Sequence, residues 1–152
     1  MEGNIAWILT SAALVLFMIP GLALFYGGMV RAKNALNMLN MNMWCLGIVP
    51  VVWVLVGLSL SAGESGRSWL GDLSLVGLKG MSDPMDIALF AFGMTFACIT
   101  PALISGAVAD RMKFSAWMIF VPIWTLVVYC PVAVSYTHLR AHETPEHLVC
   151  RD

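Results

Sequence analysis

The chain has 152 residues, of which 60% are hydrophobic and 11% are charged, and its formal net charge is −1. Soluble domains average about 45–50% apolar and about 25% charged residues, so this composition excludes an ordinary water-soluble domain. The charge gives no support to nucleic-acid binding, and the four cysteines form no Cys-x-x-Cys pair that would indicate a zinc site or a disulfide framework. We therefore expect a membrane protein with buried, unreactive thiols and no metal site.

Two apolar stretches near the amino terminus are each long enough to cross a bilayer, which takes about 20 residues. The first covers residues 5–30, has none of the basic region or cleavage site of a removed signal peptide, and is followed by Arg31 and Lys33. The second covers residues 36–60. Small residues that would let another helix pack closely on the first stretch are Ala23, Gly27 and Gly28.

The third apolar stretch, residues 87–109, combines an aromatic face with a point of interruption. Phe92, Phe96 and Leu103 stand at offsets of four and seven, so a helix places them on one face. Pro101 removes a backbone donor and would kink the helix unless neighbouring groups compensate. These features predict a span that faces something other than lipid. Close packing by another helix is predicted at Gly106 and Ala109.

The remaining connections complete a four-span pattern. A Gly- and Ser-rich loop, residues 62–86, precedes the third stretch, and a short basic connection precedes a fourth stretch at residues 114–134. The predicted fold class is an all-α integral membrane protein with four transmembrane helices. The two short connections are basic, whereas the long loop balances its cations with acids, so the positive-inside rule places the amino terminus outside. We thus predict a multi-pass protein of the cell (inner) membrane.

The tryptophans fall into two groups by their position in these spans. Those near the span ends are predicted to be interfacial anchors, namely Trp7, Trp44, Trp69 and Trp117. Trp53 and Trp124 lie deeper, where helix packing is the expected role.

The sequence changes character abruptly after Val134. Residues 135–152 hold all three histidines of the chain and several acids, but they show no hydrophobic period and no helix cap. His138 and His142 stand four residues apart, yet nothing in this stretch would hold metal ligands in place. We predict a membrane domain over residues 1–134 and a non-native, artefactual or disordered tail, which is set aside in reasoning about the fold.

Three stretches resemble the ammonium transporter family (Amt/Mep/Rh), and specifically its bacterial Amt branch. They are ALVLFMIPGLALFYGGMVRAKN at 13–34, SLSAGE at 59–64 and FACITPALISGAVADRMKFSA at 96–116. The patterns FYGG-x-x-R-x-KN and ITPALI-x-GA-x-A-[DE]-R are highly specific. The resemblance implies an eleven-helix fold with a conduction path for ammonium or ammonia through each subunit of a homotrimer. It also implies no enzymatic activity, no cofactor, and a P-II-type regulatory protein on the cytoplasmic face.

The resemblance further implies roles for six residues along the substrate path. Phe96 is similar to the inner of the aromatic rings that gate the outer vestibule, and Phe92 resembles its neighbour one turn outward. Residues matching positions that line the narrow hydrophobic pore are Leu22, Phe25, Tyr26 and Leu103. The alternative is that all six are ordinary packed side chains in membrane spans. Gly93 and Met94 depart from the polar or larger residues that the family often has there.

In this family ammonium gives up its proton, ammonia crosses the apolar pore, and paired histidines in later spans carry the proton relay. The chain ends before those spans, so we predict an amino-terminal fragment, about four of eleven spans, that conducts nothing alone. One alternative is a self-contained four-helix membrane subunit, although no span contains the histidine that would ligate a haem. Another is a helical assembly partner that packs through Gly and Ala faces. A third is a membrane-bound metal enzyme that uses the histidines of the tail.

Overall fold

The computed structural model describes residues 2–57 and 83–133, and this part of the chain is helical. In chain order the elements are α1 (Glu2–Met29), a 3-10 turn (Ala32–Asn34), α2 (Ala35–Val52), α3 (Pro84–Ala107) and α4 (Phe114–Trp124). α2 and α4 each continue into a π-helical turn, at Trp53–Gly57 and Thr125–Tyr129. The predicted all-α architecture is confirmed.

Four helical stretches of the described residues are long and apolar enough to cross a membrane. They are Glu2–Met29, Ala32–Gly57, Pro84–Ala107 and Phe114–Ala133. The predicted number of four apolar helices of membrane-spanning length is therefore confirmed, and their bounds differ from the predicted ones by a few residues. The end of the predicted second span, most of the loop at 62–86 and the tail lie outside the described residues.

The third span begins three residues earlier than predicted because the sequence supplies a complete start signal. Asp83 is the N-cap residue, and its carboxylate accepts a hydrogen bond from the backbone N–H of Met85 at 3.0 Å. Pro84 occupies the first helical position, where its missing N–H costs nothing. Pro101 is buried within this helix, which continues through it to Ala107.

α2 occupies the centre of the bundle and contacts α1, α3 and α4, while α1 also packs along α3. The core formed between these helices includes the fully buried side chains Ile19, Met41, Val49, Trp117 and Val121. The cysteines predicted to be buried are indeed buried at positions 45, 98 and 130, and Cys150 lies outside the described residues.

Trp117 corrects one sequence-based prediction, because it is a core residue and not an interfacial anchor. Its side chain is fully buried, and its indole Nε1 donates a hydrogen bond to the backbone carbonyl of Met41 at 2.9 Å. That carbonyl gives the indole N–H a partner away from the interface, so the ring can be buried whole. Trp7 is 73% exposed, and its role as an interfacial anchor stays a prediction, whereas Trp53 at 4% exposure confirms its predicted packing role.

A polar contact joins α2 to α3 within the core. Asn42 is fully buried, and its amide Nδ2 donates to the Met38 carbonyl at 2.9 Å and to the Ser105 hydroxyl at 3.1 Å. Ser105 in turn donates to the Ala102 carbonyl at 2.7 Å. Hydrogen bonds of this kind hold helices together where the surrounding lipid offers no hydrophobic driving force.

The π-helical turns of α2 and α4 face each other. Each begins three residues after a proline, Pro50 in α2 and Pro122 in α4. The rings of Trp53 and Tyr129 meet edge to face with centroids 6.0 Å apart. The two irregular turns thus form one joint between the second and fourth spans.

Candidate conduction face

The aromatic side chains of α3 form a pair. The rings of Phe92 and Phe96 lie one helical turn apart with centroids 5.0 Å from each other, at an interplanar angle of 68°. Phe92 is partly buried, whereas Phe96 is 42% exposed. An edge-to-face pair of this kind leaves one ring face available to a further ligand, and a positive charge is attracted to such a face.

The C-terminal half of α3 packs against Tyr26, an aromatic residue near the end of α1. The Tyr26 hydroxyl donates a hydrogen bond to the backbone carbonyl of Leu103 at 3.4 Å. The same ring lies against Gly106, where an added Cβ would stand 2.8 Å from Tyr26 Cζ. Phe25 follows with its ring centroid 5.9 Å from that of Tyr26. Gly106 therefore has the close-packing role predicted for it.

The six candidate residues are not equivalent in the bundle. Tyr26 and Leu103 are brought together by the hydrogen bond, and Phe92 and Phe96 by ring contact. Leu103 itself remains 50% exposed, and Phe25 is also exposed. Leu22 differs from the others, since it is partly buried and packs against the hydrophobic core.

Trp53 packs against α3 at Gly93, next to the aromatic pair, and sequence analysis gave it no role there. A Cβ added at Gly93 would stand 3.4 Å from Trp53 Cζ2, so the indole lies in contact with the helical turn that carries Phe92. Gly93 had been noted only as a departure from the family pattern. The sequence did carry a signal for this packing, because Gly93 is small, follows Phe92 directly, and leaves room for the tryptophan that lies deep in the second span.

The two short connections are tied together at one end of the bundle. The Asn34 amide Nδ2 donates a hydrogen bond to the Asp110 carboxylate. Asp110 has a positive φ of 63°, a conformation that aspartate adopts more readily than most residues. This contact fixes the corner between α1 and α2 against the corner between α3 and α4.

The chemistry available on this face is that of an apolar, aromatic surface. Within the described residues, no group of three or more His, Cys, Asp or Glu side chains could hold a metal ion. Between Ile87 and Ala107, α3 carries no Asp, Glu, Lys or Arg. Such a surface suits a small neutral molecule, or a small cation held against aromatic rings.

Comparisons with known proteins agree on one family. A sequence model described as Ammonium Transporter Family matches residues 6–138. An ammonium transporter of Mycobacterium tuberculosis (strain H37Rv) is 46% identical over an alignment that covers 86% of this chain and 32% of that protein. An ammonium transporter of Bacillus subtilis is 45% identical over 86% of this chain and 34% of its own length. The chain thus spans about a third of the length of these relatives.

Solved structures show the same similarity in three dimensions. Candida albicans Mep2 superposes with a TM-score of 0.79 at 32% identity, over 88% of this chain and 31% of that one. A protein described as a sensor Amt protein superposes with a TM-score of 0.81 over 88% of this chain and 35% of that one, but it is 22% identical and shows the fold alone.

Proposed function

Because the chain belongs to the ammonium transporter family, we propose that it supplies four membrane spans of a longer protein that moves ammonium or ammonia across a membrane. The observation that carries this proposal is the family match over residues 6–138, which includes all of the second, third and fourth spans and all but the first four residues of α1. The activity is transport, and no chemical conversion of the substrate by this chain is proposed.

The substrate path runs along the exposed aromatic face of α3 and the adjoining face of α1. Phe96 offers a ring face that the bundle leaves exposed, and Leu103 is exposed further along the same helix. Phe92 sits one turn outward of Phe96, and Tyr26 adjoins Leu103. Phe25 belongs to the same aromatic group through its contact with Tyr26. Leu22 has the weakest support, since its packing against the core favours a structural role.

Energetics explain why aromatic rings would stand at the entrance of an apolar path. Placing a full charge in the hydrocarbon core costs about 2.5–3.5 kcal/mol even on the mildest scale. A cation–π interaction with a ring face such as that of Phe96 stabilises the ion by about 0.5–2 kcal/mol, depending on how much water is removed from the pair. The rings therefore favour arrival of the cation but do not offset the whole cost, so the apolar stretch beyond them favours passage of the neutral form.

The distribution of charge supports an orientation with the amino terminus outside. All four described cations lie in the two short connections, at Arg31, Lys33, Arg111 and Lys113. Of the four described acids, only Asp110 shares that end of the bundle. The positive-inside rule assigns the cation-rich end to the cytoplasm of the cell membrane. We also propose that the longer protein is a homotrimer and that a P-II-type regulatory protein binds it on the cytoplasmic side.

Uptake of radiolabelled methylammonium tests the proposed function in cells that lack their own ammonium transporters. A chimera carrying residues 6–133 in place of the matching segment of the Bacillus subtilis relative is expected to give saturable uptake. Residues 1–152 alone are expected to give an uptake rate at least about 100-fold lower, because the path is incomplete and the ion must still pay the free-energy cost of entering the hydrocarbon core. Empty-vector cells and the unaltered relative are the controls.

Each arm of this experiment can contradict one part of the proposal. A chimera that reaches the membrane and gives no uptake would remove the support for a transport role of this segment. Saturable uptake by residues 1–152 alone would show instead that these residues form a complete path, and would defeat the statement that they conduct nothing by themselves.

A further inference from the structure

Trp53 lies where the second, third and fourth spans meet. It is the first residue of the π-helical turn that continues α2, and it is 4% exposed. Its ring meets that of Tyr129, in the π-helical turn that continues α4, edge to face with centroids 6.0 Å apart. On the side of α3 it meets Gly93, where an added Cβ would stand 3.4 Å from Cζ2 of the indole. One side chain of α2's span therefore contacts both of the other two spans.

Two glycines leave the space that the six-membered ring of this indole fills. A Cβ added at Gly57, four residues further along the same span, would stand 2.8 Å from Cε3 of Trp53. Cε3 and Cζ2 lie on different edges of the six-membered ring, so Gly57 and Gly93 contact it from different sides. Because interiors are close-packed, Gly57→Ala would force the indole to move. The position of the ring thus depends on both glycines.

Packing, and not a hydrogen bond, holds the indole in this place. Its Nε1 is buried and has no hydrogen-bond partner within residues 2–57 and 83–133. A buried N–H without an acceptor disfavours the folded state relative to a hydrocarbon ring in the same place. Phenylalanine would avoid this penalty, but it lacks the second ring that reaches Gly93. The reach of that second ring is therefore the property that tryptophan supplies at position 53.

The indole contacts the helical turn that carries the aromatic pair, because Gly93 directly follows Phe92. Successive residues of a helix point about 100° apart, so the indole lies against the flank of α3 and leaves the face of Phe92 and Phe96 free. The two rings touch each other with centroids 5.0 Å apart, and Phe96 is 42% exposed. In a close-packed bundle, a shift of the turn at Gly93 also shifts the rings next to it. The indole therefore sets where these two rings stand.

We propose that Trp53 is a positioning residue for the aromatic pair: its six-membered ring, packed against Gly93, fixes the turn of Phe92 so that Phe96 presents its ring face to the substrate path. Trp53 itself does not touch the substrate. The consequence for the cation rests on the proposed transport function, whereas the packing of the indole can be tested without transport. A cation–π contact depends on where the ring stands, so a positioning role predicts an altered affinity for the cation.

Fluorine NMR of the 152-residue protein tests the packing directly, with a fluorine label at the para position of the Phe92 ring. Trp53→Phe removes the six-membered ring next to Gly93, and because it removes no hydrogen bond among the described residues, it isolates the effect of ring size. The fluorine resonance is expected to shift and to broaden. Adding Gly93→Ala to Trp53→Phe refills part of the gap and is expected to return the resonance toward that of the parent, since the two positions are in contact.

Trp44→Phe is the matched control for this variant. Trp44 lies on the same helix, and its Nε1 is likewise buried with no partner among the described residues. It packs edge to face on Phe114 and lies about 13 Å from Trp53 along the helix axis. The same substitution at this position is therefore expected to leave the fluorine resonance of Phe92 unchanged.

The concentration dependence of methylammonium uptake by the Bacillus subtilis chimera tests the consequence for the cation. Trp53→Phe is expected to raise KM about three- to tenfold, whereas Vmax per transporter at the membrane changes by less than about twofold. A merely structural role would reduce the amount of folded transporter and leave KM unchanged. Gly57→Ala displaces the indole without removing it and is expected to raise KM as well. Trp44→Phe is expected to leave KM unchanged.

Failure of the positioning role and failure of the transport function give different results. An unaltered chimera that reaches the membrane and shows no uptake would contradict the transport function. An unshifted fluorine resonance in Trp53→Phe would overturn the positioning role by itself, whether or not the chimera transports. An equal shift in Trp44→Phe, or an unchanged KM in both Trp53→Phe and Gly57→Ala, would also overturn it.

Discussion

The Trp117→Ala variant is expected to lose about 3–5 kcal/mol of the free energy of unfolding, the range found when a large buried aromatic side chain is removed. Trp117 is fully buried in the core shared by α2 and α4. Its indole also donates to the Met41 carbonyl at 2.9 Å, so the substitution removes a hydrogen bond between helices as well as the packed volume. Unfolding by SDS in mixed detergent micelles, followed by circular dichroism, measures the change.

Two variants separate the contributions to this effect. Trp117→Phe keeps much of the ring volume but has no N–H, so it is expected to lose about 1–3 kcal/mol. Trp7→Ala removes the same side chain from a position that is 73% exposed, and its unfolding is expected to stay within about 0.5 kcal/mol of the parent. A Trp117→Ala loss no larger than that of Trp7→Ala would contradict the core position of Trp117.

The Gly106→Val variant is expected to lose about 1–3 kcal/mol through overpacking between α1 and α3. An added Cβ at this position would stand 2.8 Å from Tyr26 Cζ and 3.1 Å from Cε2, distances that require the ring to move. That movement would also break the hydrogen bond from the Tyr26 hydroxyl to the Leu103 carbonyl. The same SDS titration measures it.

A matched glycine and a compensating change make this test specific. Gly47 lies within α2, and a Cβ added there meets nothing within 4 Å, so Gly47→Val is expected to be neutral or slightly stabilising. Adding Tyr26→Ala to Gly106→Val is expected to recover part of the loss, because the two side chains then no longer collide. Equal effects at Gly47 and Gly106, or no coupling to Tyr26, would refute the close contact.

The number and order of the spans could be predicted because membrane length and apolar composition fix them locally. Asp83 and Pro84 together indicate a helix that starts at residue 84. The prediction put the start at residue 87 because it used only the beginning of the apolar stretch. The π-helical turns could not be predicted in the same way. A proline within an apolar helix indicates that the backbone hydrogen bonds are disturbed nearby. The contact between the rings of Trp53 and Tyr129, however, depends on how two helices that are distant in sequence pack together.

In the candidate site, too, residue spacing predicts relations within one helix but not contacts between helices that are distant in sequence. The spacing of Phe92 and Phe96 predicted one helix face, and their ring contact confirms that relation. Their assignment to a substrate path came from the family resemblance and stays a prediction. Trp117 was misplaced because a tryptophan near a span end has the pattern of an interfacial anchor, and only the distant Met41 carbonyl explains its burial.

Reaction of an engineered cysteine with a small, positively charged thiol reagent tests most directly whether the aromatic face of α3 lines the path. The measurement is methylammonium uptake by the Bacillus subtilis chimera carrying Phe96→Cys, before and after treatment, with Phe92→Cys as a second position on the same face. The account predicts that labelling blocks uptake and that methylammonium slows the labelling, whereas Ile119→Cys on the exposed face of α4 keeps its uptake. Full labelling at position 96 with uptake unchanged, or equal inhibition at position 119, would contradict it.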